Sequence, residues 1–428
     1  MRRSATLRFA ADLGTRDATR LLVVGGGSAG MGIASKMARA LPKGSVAVAE
    51  ANESHYYQPG FTLVGAGLMS VAQNRASQES VTPPGVRWIR DRVAQFLPEQ
   101  NKVVLRSGRE VSYEMLVITT GLEIRFDMVE GLEAAMHDNS SKVSTIYLPH
   151  LAEKTNRLIN TVKGGDLLFS FPNTLIKCAG APQKICYIAD DILRGRGIRD
   201  RCTLSYHTTL PRVFGMEKYA DALMEIVKDR DINLRTRSNL VRVDHTKNRA
   251  WFENLDKPGE IEEREFSLLH AGPPCSSVKA LRECPSLTDS SGWMDVDPKT
   301  LQSRNFTNIF GIGDCINTPN PKTAAAISSQ LKAAEKNIPL VLQGKAPTAH
   351  YDGYASCPLV VSRNRVILAE FGPDGPLETM PFNQAKPTYF AFLLKRYFMP
   401  WLYWHGLIKG YWNGPATMRK SFHLGRGQ

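Results

Sequence analysis

A chain of 428 residues with 43% hydrophobic content can bury a sizeable core and should divide into roughly two or three domains. Its seven cysteines form an odd set without a C-x-x-C pair and its nine histidines show no ligand spacing, which argues against a metal site and against a secreted disulfide framework. The formal charge of +13 sits in the tails: residues 1–20 carry +3, residues 379–428 carry +7 with no acid at all, and only +3 is left for the stretch between, too little for a nucleic-acid-binding face.

The leader, residues 1–20, is rich in Arg, Ser, Thr and Ala and spaces Leu7, Phe9 and Leu13 as a helix would, which reads as a mitochondrial presequence remnant or as a disordered basic leader. It has no apolar h-region, so a secretory signal is not indicated. A strand follows over Arg20–Val24 and runs into Gly25-Gly26-Gly27-Ser28-Ala29-Gly30, then a small-residue helix through Ala40. In this G-x-G-x-x-G turn Gly25 permits the tight bend, Gly27 lets a pyrophosphate approach the backbone, and Gly30 lets helix and strand pack closely. A second strand, Ser45–Ala49, ends in Glu50, placed to bind ribose hydroxyls. Together these predict a dinucleotide-binding unit.

Farther along, Ser112–Gly121 (SYEMLVITTG) is similar to the connecting strand of the two-dinucleotide-domain flavoproteins, with Gly121 at its end. In such proteins a second nucleotide domain opens with a glycine fingerprint for NADH. Here the strand Asp166–Phe171 and the helix from about Pro182 have no such fingerprint between them, and Cys178 occupies the turn. The electron donor is thus expected to meet a thiol instead of docking as a dinucleotide. Thr307–Cys315 (TNIFGIGDC), followed by Lys322, Thr323, Ala324 and Ala325, resembles the second FAD signature, in which the aspartate, here Asp314, holds the ribitol and a helix N-terminus faces the flavin pyrimidine.

The stretches HYYQPGFTLVGAGL (55–68), FPNTLIKCAGAPQKI (171–185), ENLDKPGE (253–260), FGIGDC, KTAAA and YDGYASCPLV, with the aromatic C-terminus, resemble the mitochondrial type of sulfide:quinone oxidoreductase over nearly the whole chain from Leu21. The resemblance implies that Cys178 and Cys357 are a redox pair and that Ser28, Ala29, Glu50, Gln58, Val93, Asp314, Lys322, Thr323, Ala324 and Ala325 contact FAD. Two departures stand out: Ala29 replaces a frequent glycine, and Cys275 is an additional thiol, either a bystander or a participant in sulfur handling. From spacing alone each of the paired cysteines reads as an inert buried thiol. The missing fingerprint and the resemblance decide otherwise.

Hydrosulfide attacking a disulfide leaves a persulfide on one cysteine and a thiolate on the other. Cys178, four residues before Pro182 at a helix start and near Lys177 and Lys184, is expected to have a lowered pKa and to face the flavin. Cys357, expected in a loop entering a strand over Pro358–Val361, is its partner and candidate persulfide carrier, though the sequence does not decide which sulfur carries the persulfide. Cys186 and Cys202 read as core residues.

From Tyr389 to Trp412, ten of 24 residues are aromatic, and Lys395, Arg396 and Lys409 interrupt each apolar run before it could span a bilayer. The segment reads as two short amphipathic helices broken at Pro400 and near Gly410, with rings at the headgroup level and cations in the lipid surface. A buried aromatic core or a dimer interface is the other reading.

The expected fold is α/β: two Rossmann-like domains with an amphipathic C-terminal membrane-association segment. The expected division places an FAD-binding domain at 21–150 and 290–345, a second Rossmann-like domain without an NADH fingerprint at 151–289, and the redox-cysteine and membrane-interface region at 346–428. The expected activity is oxidation of hydrogen sulfide with electrons passing through FAD to ubiquinone and sulfane sulfur to a small acceptor such as sulfite or glutathione, peripherally at the mitochondrial inner membrane. Two alternatives remain open on sequence: a type II NADH:quinone oxidoreductase and a non-catalytic flavoprotein interaction factor.

Overall fold

The computed structural model describes residues 17–424, so Leu7, Phe9 and Leu13 lie outside the described residues. The apolar run LLVV makes β1 (Ala18–Val24) a strand buried on both faces, and such strands favour parallel neighbours covered by helices. After α1 (Ser28–Ala40) comes β2 (Val46–Ala49), and β1 pairs in parallel with β2 on one side and with β3 (Glu110–Ile118) on the other. Beyond β2 the sheet ends at Arg87–Ile89; beyond β3 an antiparallel pair, Lys102–Leu105 and Val93–Leu97, extends it. The strand Ile309–Gly311 joins the last residues of β3 in parallel. The C-terminal ends of β1, β2, β3 and Ile309–Gly311 therefore open on one edge, where doubly wound sheets bind ligands.

A second parallel sheet orders Val143–Ser144, Leu268–Ala271, β4 (Gly165–Ser170), Cys202–His207 and Ile232–Arg235. The helix α2 (Ala181–Gly195) follows β4, so the expected strand-turn-helix is present with Cys178 in its turn. Later, α3 (Ala324–Leu342) is capped by the Thr323 hydroxyl, which accepts from Ala326 N–H at 3.1 Å.

Strands β5 (Ala355–Ser362) and β6 (Arg365–Gly372) form an antiparallel pair in which β5 packs on α2 and β6 on the tail segment Tyr389–Leu393. Cys357 lies inside β5, not in a loop before it. The strand tolerates Pro358 because β5 is the edge of its sheet, where a missing ladder donor costs little.

The backbone of the tail also differs from expectation. The helix is not broken at Pro400: α-helical Tyr389–Leu393 and Met399–Leu402 alternate with π-helical Leu394–Phe398 and Tyr403–Leu407 in one run. A wider π turn just before the proline gives its ring room that an α turn would deny. The run ends near Gly410, whose φ of +71° a side-chain residue rarely adopts. Among the described residues no helix is long and apolar enough to cross a membrane.

Candidate active site

The glycine turn behaves as its spacing predicts. Gly25 sits at φ +103°, and a Cβ there would meet the Thr119 carbonyl at 2.5 Å; one on Gly30 would meet the Gly25 carbonyl oxygen at 1.8 Å. A Cβ on Gly27 would meet nothing within 4 Å, because Gly27 faces a cavity of about 920 Å³. Glu50 is held beside the turn: its carboxylate accepts from Gly26 N–H and from the Asn52 backbone and side chain, each at 2.7 Å.

That cavity gathers the residues the sequence singled out. Gly25, Gly27, Ser28, Ala29, Glu50, Gln58, Gly121, Asp314, Lys322, Thr323, Ala324, Ala325, Cys178 and Cys357 all line it. Gly30 stands behind the turn, and Val93 does not reach the cavity, being buried in the outermost strand of the antiparallel extension. The N-termini of α1 and α3 both open into this space, an arrangement suited to a phosphate-bearing, carbonyl-bearing ligand such as FAD. Burial pushes the Asp314 carboxyl up against the opposing pull of Lys322 and Lys177.

The two sulfurs meet there. Cys178 Sγ lies 3.9 Å from Cys357 Sγ, and Lys184 Nζ donates to Cys178 Sγ at 3.2 Å. Cys178 holds a left-handed backbone (φ +50°), costly for a non-glycine residue and characteristic of functional sites. Three hydrogen bonds fix it: its N–H donates to the Lys322 carbonyl, and its carbonyl accepts from Ala181 N–H and the Tyr147 hydroxyl. Gly180 is needed two residues on, because a Cβ would come within 2.8 Å of Cys357 Sγ. The hydrogen bond with Cys357 and then the Lys184 ammonium hold the Cys178 thiol well below its usual range, while that same bond and burial push Cys357 up. Burial also pushes Cys275 up to about 12, and its thiol points at the Pro273 carbonyl.

Several residues of the site were not foreseen. Lys395 was expected at a lipid surface, but it is 3% exposed and turns inward, donating to the Pro59 carbonyl at 2.9 Å; burial and Lys184 push it down to about 8. Tyr403, buried in the tail, bonds Ser28 Oγ at 2.8 Å and His55 Nε2 at 2.7 Å, while His55 Nδ1 faces the Gly26 carbonyl at 3.0 Å. The carbonyl can only accept, so the partners assign the ring proton to Nδ1 and make Tyr403 the donor to Nε2. Nothing local in sequence links His55 to Tyr403. The outward stripe of the same tail remains exposed, with Tyr389 at 52%, Tyr397 at 61% and Trp401 at 57%.

Residues 19–167 match the family model described as pyridine nucleotide-disulphide oxidoreductase. The mitochondrial sulfide:quinone oxidoreductase of Mus musculus is 44% identical over 406 residues, covering 95% of this chain and 90% of the relative. Its namesake in Dictyostelium discoideum is 36% identical, covering 94% and 89%. The solved sulfide:quinone oxidoreductase of Aquifex aeolicus superposes with a TM-score of 0.80 at 18% identity, covering 95% of each chain, and so shows the fold. At these identities and coverages, the chain belongs to the mitochondrial sulfide:quinone oxidoreductases.

Proposed function

We propose that this chain oxidises sulfide at Cys178 and Cys357 and passes the electrons to a quinone, with FAD in the cavity between the glycine turn and the α3 N-terminus. The observation that carries the reading is the pair of sulfurs 3.9 Å apart, beside a buried lysine, in the same cavity as the glycine turn. Family membership makes the chain a mitochondrial flavoprotein.

In the disulfide form of the pair, hydrosulfide forms a bond to one cysteine sulfur as the S–S bond breaks. Sulfide is oxidised by two electrons to sulfane level, and the pair becomes one persulfide and one thiolate. The lower-pKa thiolate is the better leaving group. Lys184 stabilises charge on Cys178, which favours attack at Cys357 and a persulfide there. A nucleophilic acceptor, of the sulfite or glutathione kind, then removes the outer sulfur and leaves the second thiolate. FAD, when bound, supplies the two-electron acceptor that returns the pair to the disulfide and delivers the electrons onward.

Gly25, Gly27 and Ser28 would hold the pyrophosphate, Glu50 the ribose, Asp314 the ribitol, and the Ala324 and Ala325 end of α3 the ring carbonyls. Lys177, Lys184, Lys322 and Lys395 around one cavity favour hydrosulfide and anionic acceptors. The quinone ring would take the part of the cavity lined by Ser356 and the tail residues Phe398, Met399 and Leu402. The exposed aromatic stripe of the tail would rest in the membrane surface. The NADH alternative lacks a glycine turn between β4 and α2.

The test is substitution of single thiols. Cys178→Ser and Cys357→Ser should each lower sulfide:quinone turnover by about a hundredfold or more, because a disulfide needs both sulfurs. Cys275→Ser should keep most of it. Near-normal turnover in Cys357→Ser would overturn the pairing.

A further inference from the structure

The fingerprint helix α1 carries more than a cofactor turn. Its Ser28, Gly32, Ser35, Lys36 and Arg39, spaced to share one face, form a track on which the tail lies. Ser28 Oγ meets the Tyr403 hydroxyl, and Gly32 has no side chain where the Leu407 carbonyl comes close. Ser35 Oγ donates to the Ile408 carbonyl at 2.7 Å, and Lys36 Nζ donates to Asn413 Oδ1 at 2.7 Å while pairing with Glu335. Arg39 donates to the Lys409 carbonyl at 2.8 Å and to the Gly410 carbonyl at 2.9 Å, with its guanidinium 4.6 Å from the Tyr411 ring centre. Gly410 closes the track, since a Cβ there would strike Arg39, Lys36 and the Gly32 carbonyl.

At the cofactor end the same segment enters the turn itself. Tyr403 ties Ser28, the first residue of α1, to His55, and His55 ties back to the Gly26 carbonyl. The turn is thus braced from the tail side by one hydroxyl.

We propose that Tyr403 is a positioning residue of the cofactor site, and that docking of residues 403–413 on α1 and binding of FAD strengthen each other. The proposal rests on FAD occupying the cavity. Coupling of this kind is reciprocal: a docked tail tightens FAD, and bound FAD tightens the tail by the same factor. Arg39 lies eleven residues from Ser28, about 16 Å along the helix, too far to touch the cofactor turn itself.

The test is made on the full chain, stripped of flavin and reconstituted. FAD affinity is read by flavin fluorescence in the wild type, Tyr403→Phe, Ser35→Ala and Arg39→Ala, and tryptic cleavage after Lys409 is timed with and without FAD. All three variants should bind FAD about fivefold or more weakly, and the flavin-free wild type should be cleaved faster by a similar factor. Should Arg39→Ala fail to fold, Ser35→Ala, which deletes a single hydroxyl, decides. Wild-type affinity in the track variants, or cleavage indifferent to FAD, would overturn the coupling alone. A wild type that takes up no FAD would overturn the cofactor reading along with it.

Discussion

Lys184 is the most informative single charge in the site, and Lys184→Met removes it while keeping the length of the side chain. The lysine donates to Cys178 Sγ at 3.2 Å, and the sulfurs on either side raise its own pKa although burial alone would lower it. A hydrogen bond with a charged partner is worth about 1.5–3 kcal/mol, which corresponds to about one to two units of thiol pKa. The hydrogen bond from Cys357 and the charge of Lys395 remain in the variant, so the Cys178 thiol should rise only partly toward its ordinary value. Alkylation of the reduced protein by iodoacetamide as a function of pH reads this shift directly. If the whole effect is expressed as leaving-group stabilisation, sulfide-dependent reduction slows by about ten- to hundredfold. An alkylation profile superimposable on the wild type, with a rate within about twofold, would refute the assignment of Cys178 as the lysine-stabilised thiolate.

Lys395 supplies a pH dependence whose sign follows from its lowered pKa of about 8. The ammonium is present below that value and lost above it, so the rate of sulfide-dependent reduction should fall as pH rises through about 8, and Lys395→Gln should flatten that limb. Between about 8 and the unfolded value near 10.5 the folded chain binds fewer protons than the unfolded one, so this residue makes stability increase with pH across that window. The change in thermal midpoint from pH 7 to pH 10 should therefore be less favourable in Lys395→Met than in the wild type. On the outer face of the tail, replacing both Tyr397 and Trp401 by Ser should weaken binding to anionic vesicles by about tenfold or more while leaving flavin content unchanged. Vesicle flotation with the flavin absorbance read on the same fractions checks both halves.

The parts of this site that could be read from sequence are those with local causes. Gly25, Gly27 and Gly30 were legible because a left-handed φ, an open approach and a close helix–strand contact each demand glycine at a fixed offset. The turn before α2 was legible as a missing fingerprint, which drew notice to Cys178. That Cys357 completes the pair, 179 positions away, came from resemblance and not from spacing. The tail was half legible: its aromatic excess and basic interruptions announced an amphipathic segment, but nothing in the string says which face turns inward. The string alone therefore sets Lys395 at the lipid surface and marks Pro400 as a break, because a π turn leaves no mark in composition. Gly180 was overlooked since its reason, the Cys357 sulfur beside it, exists only in the folded chain.

The central claim is that the electron donor meets a thiol pair and not a bound dinucleotide, and flavin absorbance under anaerobic conditions tests it most directly. Stoichiometric sulfide should bleach the wild-type band and leave it unchanged in Cys178→Ser, and NADH or NADPH should leave it unchanged in both. Rapid bleaching by NADH at micromolar concentration, or undiminished bleaching by sulfide in Cys178→Ser, would contradict the account.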